Sequence, residues 1–81
     1  MAILSEKING KIIEVEIQSS NIKKSIYNTE DKTLLMEFNN ESTYKYDDVP
    51  WEVFTKLRMA ESQGKYFSSN ISKKYKYEKI K

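Results

Sequence analysis

Lys73-Lys74-Tyr75-Lys76-Tyr77-Glu78-Lys79 interleaves ammonium groups with phenol rings. That pattern suits an anionic ligand that also carries rings. Lysines raise the local potential, and bases stack on exposed aromatics for about 1–3 kcal/mol each. Just upstream, Ser62-Gln63-Gly64-Lys65-Tyr66 lies between two stretches with helical spacing. Backbone N–H groups opening the second stretch would face an anion there. Arg58 is the one arginine, hence the one guanidinium fork for a phosphate. The plainer reading is equally physical. Gly64 reverses the chain in a left-handed conformation, Tyr66, Phe67 and Ile71 fill a core, and the lysines solvate a terminal segment. Both readings stay open on sequence alone.

Other chemistry is poorly supplied. The chain has neither histidine nor cysteine, so the usual general base and the thiolate ligand are missing. Serines have no partner type to activate them. Asp47-Asp48 resembles a carboxylate pair, but the following Pro50 makes stabilisation of a helix start the better account. Ser19-Ser20 suits a turn bond to backbone better than a ligand contact. We expect no catalytic site, no metal and no cofactor.

The elements that would position the candidate residues follow from periodicity. Asn9-Gly10 marks a hairpin turn. After it, Ile13, Val15 and Ile17 alternate with Glu14 and Glu16, as in a half-buried strand. Residues 3–8 would form its partner, with Leu4 and Ile8 flanking Glu6, or else a short helical turn. Ile22–Tyr27 alternates imperfectly and suggests a bulge. Thr33–Phe38 and Ser42–Asp47 read as two more strands, bringing Phe38, Tyr44 and Tyr46 together across the sheet. The period then changes. Trp51, Val53, Phe54, Leu57 and Ala60 form a helical stripe, predicted to end near Ser62 with Gly64 just beyond. A second helical turn covers residues 65–71, and the last residues form a strand or a tail with its cationic end projecting. The expected fold is α+β: an antiparallel sheet of four to five strands, an N-terminal hairpin plus a meander, packed by one main helix and a short second one.

Eighty-one residues make one domain, 1–81. The net charge of +2 conceals an asymmetry: residues 1–64 hold eight basic and eleven acidic groups, residues 65–81 six lysines and one glutamate. The isoelectric point near 8.8 falls short of the usual nucleic-acid footprint above about 9. No apolar run approaches the roughly 20 residues of a membrane span, and "MAILSEKING" lacks the features of a secretory signal. Cytoplasmic location is expected, without membrane partners. Richness in lysine and asparagine points to an AT-rich genome, bacterial or phage.

"SSNIKKSIYN", "TLLMEFNNESTYKYDDVPWEV" and "RMAESQGKYFSSNISKKYKYEKI" together resemble the KTSC domain, over about residues 17–80. Ser19-Ser20-x-Ile22, Tyr27, Phe38, Tyr44-x-Tyr46, Val49-Pro50, Ala60-x-Ser62-x-Gly64, Tyr66-Phe67, Ile71 and Tyr75 occur in the family's order. The resemblance implies a small α+β domain, found at the C-terminus of some lysyl-tRNA synthetases and alone in bacteria and phages. It implies no reaction. Asn40 or Glu41 stands where the family commonly has glycine. Residues 1–16 lie outside the shared region, as an added strand or hairpin.

Three functions remain in view, an enzyme the last of them. The first is a non-enzymatic module for a phosphate-bearing ligand, nucleotide or nucleic acid; a phage-encoded copy would sequester a nucleotide signal of host defence. The alternative is a protein-interaction module, or an inhibitor of a host protein. Exposed strand edges also suit a homo-oligomer.

Overall fold

A computed structural model describes the backbone of residues 2–18 and 21–81, and the side chains of residues 5–17 and 21–81. The expectations for Ser19-Ser20 and for the Leu4 side chain therefore lie outside the described residues. Six strands form one antiparallel meander in chain order: β1 (Ala2–Asn9), β2 (Ile12–Gln18), β3 (Ile22–Asn28), β4 (Thr33–Phe38), β5 (Thr43–Tyr46) and β6 (Tyr77–Lys79). Two helices, α1 (Trp51–Met59) and α2 (Gln63–Asn70), separate β5 from β6. The α+β class matches expectation. Among the described residues the strand count is six rather than four or five, because the C-terminal segment joins the sheet beside the N-terminal hairpin and the meander.

Alternation places two rows of side chains across the helix-bearing face. Register aligns Ile8, Ile13, Tyr27, Leu34, Tyr46 and Tyr77 in one row. Glu6, Val15, Ser25, Met36, Tyr44 and Lys79 form the next. The middle of each row is buried, and Phe54, Leu57, Phe67 and Ile71 close over it. Tyr27 stacks on Phe54 with ring centroids 4.6 Å apart, and Phe67 meets Tyr46 edge-on at 5.3 Å. Each fully buried large apolar side chain contributes about 1.5–3 kcal/mol. The opposite face carries ion pairs in place of helices: Lys24 Nζ lies 2.6 Å from Glu14 Oε1. This hydrogen bond holds the Glu14 carboxyl below its ordinary range and raises the Lys24 ammonium.

Local chemistry departs from expectation at several points. The two-residue turn of the first hairpin is Gly10-Lys11, since Asn9 pairs with Ile12. Only Gly10 takes positive φ, at 61°. The predicted bulge appears between Ile22 and Lys24. Pro50 is the N-cap of α1 and no side-chain bond caps the helix there, while Asp48 two residues earlier takes a left-handed φ of 55°. Helix α1 stops at Met59 because Ala60 is extended. Gly64 is therefore no left-handed terminator. It sits in the first turn of α2, which Ser62 caps by accepting the Lys65 N–H.

Candidate functional site

The C-terminal segment is a strand, not a projecting tail. Asp47 N–H donates to the Lys76 carbonyl at 2.9 Å, Ile80 N–H to the Thr43 carbonyl at 2.8 Å, and Thr43 N–H to the Lys81 carbonyl at 3.0 Å. Backbone bonds thus pin the chain from Lys76 to Lys81 along β5. The lysine side chains at 73, 74, 76, 79 and 81 remain exposed. Among the described residues, none of them joins an ion pair. Strand pairing fixes the backbone and leaves the charges to solvent.

Alternation divides these groups between the two faces. Tyr77 stands opposite Tyr46 and Lys79 opposite Tyr44, all on the helix side. Glu78 faces the other way, opposite Lys45. The Tyr77 ring is 57% exposed and leans on Tyr46 and Tyr44, with centroids at 5.6 and 5.7 Å. Tyr46 is buried beneath it, and that burial pushes its phenol up to about 12. Tyr75 and Tyr66 are partly buried against the core, so their rings serve packing first. Tyr77 is the more available phenol.

The other predicted residues fall elsewhere. Arg58 lies over the opposite sheet edge, where its guanidinium pairs with Glu6 of β1. Its Cζ is 5.3 Å from the Trp51 ring centroid and 5.1 Å from that of Phe54. Arg58 is thus engaged within the fold, five strands away from the lysine edge. Ser62, Gly64 and Lys65 gather at the start of α2, with Lys73 and Lys74 past its end. An eight-residue helix is about 12 Å long, so these are two places and not one.

A cleft of about 530 Å³ opens beside the start of α2. Gly64, Phe67 and Ser68 form its helical wall, Phe38 and Ile22 lie on the sheet side, and Asn21, Asn39 and Asn40 stand at the loop end. Periodicity could not find this cleft, because its walls come from α2, the start of β3 and the β4–β5 turn. The only early signal was the run of asparagines at 39–40. Phe38 links cleft to edge: its ring is 5.8 Å from Tyr44, which is 5.7 Å from Tyr77.

The KTSC domain model matches residues 18–75. The chain belongs to the KTSC domain family. A lysine–tRNA ligase of Trichormus variabilis is 41% identical over 63 residues, which are 78% of this chain. The chain spans only 11% of that ligase's length. A protein of Stutzerimonas stutzeri is 34% identical over 67 residues and is covered to 94% of its length. The crystal structure of a KTSC domain protein from Yersinia pestis superposes with a TM-score of 0.81 at 27% identity, covering 86% of this chain and 99% of that one. The matched KTSC segment carries the cleft and Lys73–Tyr75. Strand β1, nearly all of β2, and β6 with Tyr77 lie beyond it. Among the described residues, no helix is long and apolar enough to cross a membrane.

Proposed function

We propose that this KTSC domain is a non-enzymatic binding module for a phosphate-bearing ligand, a nucleotide or a single-stranded nucleic acid. One observation carries the reading: an exposed Tyr77 ring stands on a strand paired with β5, in a segment whose lysines have no ion-pair partner among the described residues. A ring for stacking and loose cations for phosphate are the two components of single-strand recognition. Lysine approaches phosphate as a point charge, so the contacts select charge more than geometry. For a phage-encoded copy, the same surface would sequester a nucleotide signal of host defence. Fluorescence anisotropy with labelled oligonucleotides and nucleotides tests the reading. Affinity should fall steeply with salt, and joint replacement of Lys73, Lys74 and Lys76 by glutamate should abolish it while the circular dichroism spectrum is unchanged. Undiminished affinity in that variant would refute the reading.

A second reading, self-association, is favoured by the other edge. β1 ends the sheet there with an unpaired outer backbone edge, and Ile8, Trp51 and Met59 are 69%, 45% and 80% exposed. Unpaired strand edges next to apolar groups favour strand addition between copies. Light scattering at micromolar concentration decides it: a monomer mass dismisses the homo-oligomer.

A further inference from the structure

We infer that the cleft beside α2 is a nucleobase pocket, holding the ring system of the ligand whose phosphates meet the lysine edge. The inference rests on the preceding reading for the phosphate half of that ligand.

Gly64 is the first observation. It lies in the first turn of α2, and glycine is a weaker helix former than alanine. Its φ is not left-handed, so the backbone does not require it. A Cβ built at Gly64 would meet no atom within 4 Å, so packing does not require it either. Neither demand of the fold explains the residue. What it leaves is bare helix backbone on the wall of an open cleft, the usual use of glycine where a ligand approaches the chain closely.

The lining chemistry selects the ligand. None of the described residues that line the cleft is charged, so among them the phosphate itself has no counter-charge. Phe38 and Phe67, with centroids 5.5 Å apart at an interplanar angle of 62°, give the cleft apolar and aromatic surface. Asn39, Asn40 and Ser68 bring carboxamides and a hydroxyl to its rim. Asn40 Oδ1 already accepts the Ser42 N–H, which holds the amide in place and leaves its NH2 to donate. A flat apolar ring bordered by alternating donors and acceptors matches such a lining, and carboxamides are the side chains that read adenine edges in pairs. The volume suits a small ligand; typical sites span about 300–1,000 Å³.

Position completes the argument. From Phe38 the aromatic steps through Tyr44 to Tyr77 are 5.8 and 5.7 Å. Lys79 stands opposite Tyr44 in the sheet. A base in the cleft therefore has a continuous aromatic path along which sugar and phosphate reach the cationic edge.

Two-dimensional ¹H–¹⁵N spectra test this with adenosine, guanosine, cytidine and uridine as phosphate-free probes, each at millimolar concentration. At least one nucleoside should shift the Gly64 and Ser68 amides and the Asn39 and Asn40 side-chain amides. That shift should be insensitive to salt, because no described cleft residue is charged. Gly64→Leu fills the space and should remove the shift while resonances of β1 and β2 stay in place. Gly64→Ala adds only a methyl group and serves as the folded control if the leucine variant unfolds; it should weaken the shift without abolishing it. The matching monophosphate should bind more tightly, with the gain lost at high salt. A monophosphate no tighter than its nucleoside would overturn the phosphate reading and leave the pocket standing. No cleft shift with any nucleoside, or a shift unaltered in folded Gly64→Leu, would overturn the pocket.

Discussion

The Tyr27 hydroxyl donates to the Val49 carbonyl at 2.6 Å, joining the end of β3 to the segment that leads into α1. Both residues are buried, and burial raises the Tyr27 phenol above its ordinary range. The bond ties the first helix to the sheet at its entry. Tyr27→Phe keeps the ring stack on Phe54 but strands a buried carbonyl. We expect a loss of about 1–3 kcal/mol, read as a lower urea midpoint with an unchanged slope.

Tyr46 makes the fold sensitive to alkali. Its phenol titrates near 10.0 when unfolded and at about 12 in the folded chain, chiefly through burial. The folded state therefore holds this proton more tightly. Its contribution is intact below pH 10.0 and is lost as pH rises toward about 12. Urea titrations across that interval should show falling stability, and Tyr46→Phe should flatten the fall. An equally steep fall in the phenylalanine variant would reject the assignment.

Glu14 gives the acid counterpart. Its hydrogen bond from Lys24 lowers the folded carboxyl below 4.5. That contribution is present above pH 4.5 and disappears as pH drops through the lowered folded value. Both side chains are partly exposed, at 32% and 24%, so the effect is small and salt-sensitive. Glu14→Gln should reduce the stability difference between neutral and acidic solution at low ionic strength.

Glu41 carries a φ of 69° in the turn between β4 and β5. The left-handed conformation costs a residue with a Cβ about 1–2 kcal/mol, and glycine escapes it at some entropic cost. Glu41→Gly should raise stability by about 0.5–1 kcal/mol, measured by the urea midpoint. Asn40→Gly should not, since Asn40 has no positive φ.

Arg58 separates structure from binding. Between Trp51 and Glu6 its guanidinium is structural, so Arg58→Lys should lower stability by about 0.5–1 kcal/mol through the lost ring contacts. Ligand affinity should not change. A large affinity loss at full stability would return Arg58 to the site.

How much of this was legible beforehand depended on the range of the cause. Alternation in Ile13–Ile17 and Leu34–Phe38 and the stripe around Phe54 and Leu57 are local patterns, and each became the element it indicated. The KTSC resemblance sets a glycine position at 40 or 41, and only the turn geometry shows that Glu41 is the left-handed residue. Gly64 was misplaced because a glycine after an apolar stripe looks like a terminator. Ala60 ended α1 by turning extended, which freed Ser62 to cap a second helix.

Residue order alone settled the family, through motifs in sequence from Ser19 to Tyr75, and the α+β alternation and the concentration of lysines after residue 64, which depend on neighbours a few positions apart. Tertiary structure decided which of the marked residues share a place. Pairing of β6 with β5 drew Tyr77 beside Tyr46, and pairing of β1 with β2 carried Glu6 to Arg58 at the far edge. The cleft exists only because α2 folds back against Phe38. Contacts between residues dozens of positions apart depend on register and on the packing of helix against sheet, and no spacing within a single segment encodes them.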